Sequence, residues 1–445
     1  MTGGPVGRPM AFAELADLVG RTDPAVLLPP RRSGSAVVSS PVRLFAATPL
    51  GPGQVGVVID ATGRTFVVPF LVEAGSLRRA TAGDGLAESL LAALDGGGAW
   101  PPEFDVEVRH VRPAHGERAV DVDQTHESVI VGEQAVVKWT VAAQRGEHPG
   151  PQRLRALDIA GFPAIPRPWA FVTWRPVGAE PVLVVSVAEY LPGARDGWTW
   201  CVDDVRATSR GQLSLDRAVE PASHIGRLTA QMHAALAGEG PAVVADAAQM
   251  RSWATQAQAV LDEALDVVDG EAGRRLRRRA DAIASDLARI ARVAPTPLID
   301  VHGDFHVGQV LRHGGGSGPC YAFTDFDGNP VLDAEQRLEQ QPAARDVAGM
   351  LASLDHVGRV VIHRTDDADA SVVLSWIQAA QHAFLSAYRA GLDAVGRADL
   401  LDERLLRPLR AEQECREFVY AVRHLPHWSY VPDAALAALY PDDEE

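Results

Sequence analysis

The sequence is almost without lysine: among 42 basic residues Lys138 stands alone, and the rest are arginine. Cysteine is scarce as well. Cys201, Cys320 and Cys415 are odd in number and widely spaced, which excludes a disulfide framework and a zinc-binding cysteine pattern. No uninterrupted apolar run reaches the ~18 residues that a membrane helix requires. The first residues, Met1 to Met10, lack the charged start and apolar core of a secretory signal. These absences predict a reduced, cytoplasmic protein with no membrane segment. Positive charge is also short. The net charge of −16 argues against nucleic acid as a partner, because binding there depends on neutralising phosphates. The 445 residues are 47% hydrophobic and 22% charged, enough for two or three globular domains.

Periodicity divides the chain. A helix is expected over Phe12–Val19, followed by a Pro-rich turn ending at Pro30. Val-, Ile- and Phe-rich segments at Ala36–Ala47, Gln54–Ile59 and Thr65–Val72 read as strands, and Leu86–Leu94 as a short helix. Further strands are expected at Val106–Val111, Ser128–Val131, Ala135–Thr140, Trp169–Trp174 and Pro181–Tyr190, with a helix at Arg153–Ile159. Asp196–Pro221 reads as irregular. Beyond it, apolar residues recur every three or four positions in Ala222–Leu236, Ala245–Val268, Glu271–Val293, Ala343–Asp355, Ala370–Ala390 and Arg404–His424. The pattern predicts an α+β protein in three parts: a small module over 1–100, a β-rich lobe over 101–192 and a helical lobe over 193–445. The basic run Arg274–Arg279 reads as a helix face paired with nearby acids.

One stretch inside the helical part carries chemistry. It runs from Leu298 to Leu311 and continues in Ala322–Asn329. Phosphoryl transfer needs a carboxylate at the attacking hydroxyl and oxygen ligands that hold Mg²⁺ against the phosphates of ATP. Asp304 is placed to be the base. Gln309, five residues on, offers an amide oxygen to a hard cation. A hairpin then returns Asp325 at the end of an apolar strand, in the place of the aspartate of Asp-Phe-Gly. Here the tripeptide is Asp-Phe-Asp, so Asp327 offers a further oxygen. His302 is expected to hold the loop by hydrogen bonds, and His306 to lie beside the phosphate or the acceptor. No third ligand supports a zinc site at these histidines.

Upstream, Val136-Val-Lys138-Trp fits a strand that presents a lysine to the α- and β-phosphates. No Gly-x-Gly-x-x-Gly precedes it. The turn Gln124–Ser128 is there instead, with the amide and hydroxyl of Ser128 available to phosphate. No glutamate occupies the following helix, where the partner of such a lysine is expected; Gln152 and Glu147 are nearest. Main-chain groups at Glu189, Tyr190 and Leu191, after an apolar strand, are placed to read an adenine edge. Gly314–Gly318 reads as a hairpin tip, not a phosphate loop, since no Gly-Lys-Ser/Thr follows.

His302-Gly-Asp-Phe-His-Val-Gly-Gln-Val310, Asp325-Phe-Asp327 and Arg345-Asp-Val-Ala-Gly-Met350 resemble the aminoglycoside-phosphotransferase superfamily, nearest to the bacterial maltokinases and their glucosamine-kinase relatives. Gly226–His233 and Glu417–Trp428 are similar to further segments of those proteins. The likeness covers roughly residues 105–435. It implies a two-lobed, protein-kinase-like fold with an N-terminal cap over 1–100. It implies Asp304 as base, Gln309 and Asp325 as Mg²⁺ ligands, and a sugar between the 302–309 loop and the C-terminal helices. Maltokinases usually read Asp-Phe-Glu-Gly-Glu-Pro where this chain reads Asp325-Phe-Asp-Gly-Asn-Pro330. That departure, with the run Glu335–Pro342, looks like the glucosamine-kinase branch.

The chemistry of an amino sugar points the same way. Its ammonium asks for a carboxylate. Glu414 and Glu417 are three apart on the last long helix, hence on one face, and Trp428 offers a ring for a sugar face. The expected activity is an ATP-dependent sugar kinase acting on glucosamine, with the 6-hydroxyl as the acceptor that the glucosamine-kinase resemblance implies. Phosphorylation of maltose, phosphorylation of an aminoglycoside, and an inactive kinase-like binding module are the other readings.

Overall fold

Thirteen α-helices and fifteen strands occur among the described residues of the computed structural model, which are 10–28, 41–73, 75–120, 127–240, 242–293, 295–314 and 318–441. Expectations on the first nine residues, Pro29 and Pro30, residues 36–40, Gln124–His126 and the hairpin-tip residues 315–317 lie outside them. The chain forms two compact units. The first gathers Met1–Arg155, Pro166–Pro192 and Val331–Leu338; the second gathers Ala156–Ile165, Gly193–Pro330 and Glu339–Glu445.

In the first unit, α1 (Phe12–Arg21) and α2 (Pro24–Leu27) precede four strands, β1 (Val42–Leu50), β2 (Gly53–Asp60), β3 (Thr65–Glu73) and β4 (Ser76–Arg79). These pair antiparallel in chain order. β3 is buried on both faces, which explains its unbroken apolar run. Phe66, Val68 and Phe70 pack with Leu15 and Val19 of α1, while Val67 and Leu71 face a second core. Helix α3 (Leu86–Asp95) contributes Leu86, Leu90 and Leu91 to that second core.

Next come β5 (Phe104–Val108), β6 (Glu117–Ala119), β7 (Glu127–Val131), β8 (Ala135–Trp139), β9 (Ala142–Ala143), α4 (Pro149–Ile159), β10 (Pro168–Trp174) and β11 (Val182–Glu189). Six of these strands form a sheet in the order β5-β10-β11-β8-β7-β6, and β9 pairs with β3 of the other sheet. Val129, Val137 and Trp139 of this sheet share the second core with α3 and β3. Residue 100 therefore falls inside a unit whose two sheets have a common core. Glu117 ties the parts together. Its carboxylate accepts the amides of Gly83, Gly85, Ala87 and Glu88 at 2.6–3.0 Å around the N-terminus of α3, where negative charge opposes the helix dipole.

The second unit is helical. It contains α5 (Gly197–Ser209), α6 (Leu215–Ala237), α7 (Ala247–Val267) and α8 (Gly270–Arg289), with β12 (Val243–Ala245) and β13 (Thr296–Leu298) as a short ladder. The hairpin β14 (Val310–His313) and β15 (Cys320–Phe323) follows. After α9 (Ala334–Leu338), whose residues group with the first unit, come α10 (Ala344–Arg364), α11 (Ala370–Ala394), α12 (Leu406–His424) and α13 (Tyr430–Leu439).

Asp196–Pro221 is helical where an irregular segment was expected. Asp196 caps α5 by accepting the Thr199 amide at 2.9 Å, and Pro221 lies inside α6. A proline within the first two helical turns, and the aromatic and β-branched residues Trp198, Trp200 and Val202, weaken the local signal. Tertiary burial of Trp200 and Val205 supplies what propensity does not. The basic run is engaged in the unit's interior and surface: Arg275 pairs with Asp433, and buried Arg279 donates to the Tyr440 carbonyl at 2.7 Å. No helix among the described residues is long and apolar enough to cross a membrane.

Candidate active site

The segment from Asp300 to Gln309 leaves β13 without regular structure, so its backbone groups need partners from elsewhere. Helix α10 provides them in order. Asp346 accepts the amides of His302 at 2.7 Å and Gly303 at 2.9 Å. Gly349 lies against the Phe305 carbonyl, where a Cβ would come within 2.8 Å. Ser353 accepts the Val307 amide at 2.8 Å. Asp346 is buried and also bonds His233 Nε2 at 3.1 Å, while His233 Nδ1 and the Tyr388 hydroxyl share a hydrogen bond of 2.7 Å. Although burial alone would raise it, the His233 hydrogen bond and charge hold the Asp346 carboxyl below the usual range. Asp346, Ser353 and His233 have no counterpart in the sequence-derived site. Asp346 and Ser353, at helical spacing among the buried residues of α10, were the available signal.

His302 donates from Nε2 to the Thr324 carbonyl at 2.8 Å, which joins the loop to the end of the hairpin. Beneath it lies an aromatic layer, with ring centroids 4.6 Å apart for His302–Phe326 and 4.9 Å for Phe305–Phe323. Gly303 takes a left-handed φ of 85° and turns the chain so that Asp304 follows. Asp325 also has a left-handed φ, 65°, unusual for a side chain with a Cβ and a form of strain found at functional sites.

Burial first, and then the charges of Asp325, Glu417 and Asp346, push the Asp304 carboxyl up to about 7. The acids are thus close enough to feel one another. His306 accepts the Gly308 amide at Nδ1, 3.1 Å away, and its Nε2 lies 4.0 Å from Asp304 and 3.4 Å from the Gln309 side-chain nitrogen. Burial, helped by His302 and His356, lowers His306 to about 4, so it is neutral. Gln309 closes the loop: its carbonyl accepts the Thr324 amide at 3.0 Å.

Mg²⁺ suits this donor set. It is a hard cation that takes one or two carboxylates, keeps waters and binds phosphate oxygens. Asp304, Gln309, Asp325 and Asp327 carry oxygens of the kind it takes, and a cation beside Asp304 would oppose the charges that help raise it, although among the described residues no three His, Cys, Asp or Glu side chains are gathered to hold a metal by themselves.

The remaining expected residues fall in several places. Glu417, half-buried on α12, acts electrostatically on Asp304. Glu414 does not face a ligand: it has no exposed surface, and both its oxygens lie within 3.0 Å of His356 Nε2. Three-residue spacing put the two glutamates on one face but could not say which end of that face is sealed by α10. Trp428 packs against Trp198, with ring centroids 5.5 Å apart, and Arg364 lies over its ring.

In the first unit Lys138 stands opposite Ser128 on β7 and Ser186 on β11. All three are half-buried on one face of the sheet, while Val137 and Trp139 point into the core. Glu147 pairs with Arg175. The single acid of α4 is Asp158. At the end of β11 the amides of Glu189 and Tyr190 are taken by the carbonyls of Arg167 and Gln134, at 2.8 and 2.7 Å. A base edge there would have to use the Leu191 amide or the carbonyls. A cavity of about 160 Å³ lies between α4 and β10, but its rim charges Glu107, Arg155, Glu147 and Arg175 pair with one another.

No family model matches the chain. It is, however, 52% identical over 437 residues to a glucosamine kinase of Streptacidiphilus jiangxiensis, an alignment that takes in 96% of this chain and 98% of that protein. The chain belongs to the glucosamine kinase family. A second member of the glucosamine kinase family, from Mycolicibacterium smegmatis, is 43% identical over 368 residues, 82% of this chain and 90% of that one. A solved structure of a glucosamine kinase in complex with glucosamine, ADP and inorganic phosphate matches with a TM-score of 0.82 at 50% identity, covering 96% and 99% of the two chains. Another glucosamine kinase crystal form matches with a TM-score of 0.85 at 49% identity. The fold is accordingly that of the solved glucosamine kinases, α+β as expected from the sequence, with β-rich parts before helical parts.

Proposed function

We infer that this chain is an ATP-dependent glucosamine kinase that produces glucosamine 6-phosphate and ADP. The observation that carries the reading is the 52% identity to a glucosamine kinase over 96% of this chain, together with Asp304 on the loop held by Asp346, and Glu417 of α12 near enough for its charge to add to the rise of Asp304. Asp304 orients the 6-hydroxyl and takes its proton. The hydroxyl oxygen forms a bond to the γ-phosphorus while the bond from that phosphorus to the ADP oxygen breaks. Gln309, Asp325 and Asp327 would hold Mg²⁺, which neutralises charge on the phosphates. His306, neutral and beside Asp304, faces the acceptor. Glu417 pairs with the ammonium of the sugar. Lys138, with Ser128 at its side, meets the α- and β-phosphates, and the stretch Glu189–Leu191 receives the adenine. Its three cysteines are unpaired, Cys201 and Cys415 in the interior and Cys320 at the surface, which suits a reducing cytoplasm.

Coupled ADP release with glucosamine, maltose and kanamycin side by side tests the reading; turnover with glucosamine at the highest kcat/KM is expected, and a preference for either other acceptor would overturn it. Two variants probe the parts. Glu417→Gln removes one charge-assisted bond of ~1.5–3 kcal/mol, so KM for glucosamine should rise roughly 10- to 100-fold. An unchanged KM would remove Glu417 from the sugar site. Lys138→Met should raise KM for ATP by a similar factor and leave KM for the sugar alone.

A further inference from the structure

The polar series on α10 extends one step beyond the loop. Asp346, Gly349 and Ser353 each meet successive parts of it, and their spacing of three and four residues stacks them on one helix face. His356 is next in that series. Its ring bonds to Glu414 of α12 instead of to the loop, with Nε2 at 2.8 and 3.0 Å from the two carboxylate oxygens. The pair is deeply buried, 7% exposed at His356 and 0% at Glu414. Burial works against charge on the imidazole, but Glu414, then Glu417 and Asp355, raise it to about 9, so the histidine carries the proton. Glu417 is one turn further along the same face of α12.

A buried ion pair is an expensive way to join two helices, since well-packed apolar residues of similar volume often do as well or better. What it adds is direction: each partner must meet the other at one register. We propose that His356 and Glu414 are positioning residues for amino-sugar selection, locking α12 against α10 so that the Glu417 carboxylate stands at the sugar's ammonium while Asp304 stands at its hydroxyl. This rests on the reading of Glu417 given above.

The test compares kcat/KM for glucosamine and for glucose, which replaces the amine by a neutral hydroxyl. The double variant His356→Met/Glu414→Leu removes both charges of the pair together, and Arg410, which Glu414 also supports, keeps Asp355 near it, so the fold should be retained by circular dichroism. The preference for glucosamine over glucose should fall about tenfold or more, through KM for glucosamine, with kcat/KM for glucose unchanged. Glu414→Gln keeps an acceptor for His356 and should retain the preference within about threefold. If the double variant keeps the preference, or loses both activities by the same factor, the pair merely holds the fold and the proposal fails. Glu417→Gln separates the two levels. If it abolishes the preference while the double variant does not, only the positioning role is overturned. If it leaves the preference intact, the reading of Glu417 fails and takes this proposal with it.

Discussion

Asp304→Asn should lower kcat by ~10²–10⁴-fold, the range typical for loss of a general base, without lowering the melting temperature. The amide has the size of the carboxyl and can still occupy the end of the turn made by Gly303. It cannot accept the proton of the sugar hydroxyl. Stability should move the other way. Burial and the charges of Asp325, Glu417 and Asp346 raise the Asp304 carboxyl from 3.8 to about 7 in the absence of cation. A raised carboxyl means that the folded state binds protons more tightly than the unfolded chain, so its ionisation costs stability as pH rises from about 4 through 7. Removing the charge relieves that cost above neutrality. Steady-state kinetics and thermal melting at pH 8 without Mg²⁺ check both halves. Turnover within tenfold of the parent would show that Asp304 is not the base.

Asp346→Asn should damage both activity and stability. The carboxylate accepts three hydrogen bonds: from His302 N, Gly303 N and His233 Nε2. An asparagine has one oxygen for them and turns an NH₂ group toward the rest. At a site 2% exposed, water cannot take the place of the lost acceptors. Removing one member of such a buried charged network typically costs about 3–5 kcal/mol. The two loop amides set the approach to Asp304, so kcat should fall while KM for ATP changes little. Circular dichroism melting together with kcat measures the pair of effects. A variant with parental melting and parental kcat would mean that the loop is held by its aromatic layer alone.

The proposed base and proposed metal-binding oxygens could be named from the sequence because they lie within 24 residues of chain, in an order that phosphoryl transfer itself demands. Asp346 was not, since its contacts to the loop span 43 and 44 residues. Its residue type says only that a buried acid has some partner. The two glutamates of α12 show the limit of helical spacing. It groups Glu414 with Glu417 correctly, yet burial of one and partial exposure of the other depend on how α10 covers α12. Most strands and the long helices were legible from periodicity. The exception at α5 and the start of α6 comes from residues whose intrinsic preference opposes the helix that their burial requires.

The solitary ammonium on β8 has a practical corollary. A reagent that acylates amines has one side chain in the entire polypeptide to react with, besides the terminus. That side chain is half-buried between two serines, on the face of the six-stranded sheet opposite Val137 and Trp139. Mass-spectrometric labelling of this chain therefore works as a single-channel reporter: the rate of modification at one atom reads the occupancy of one place.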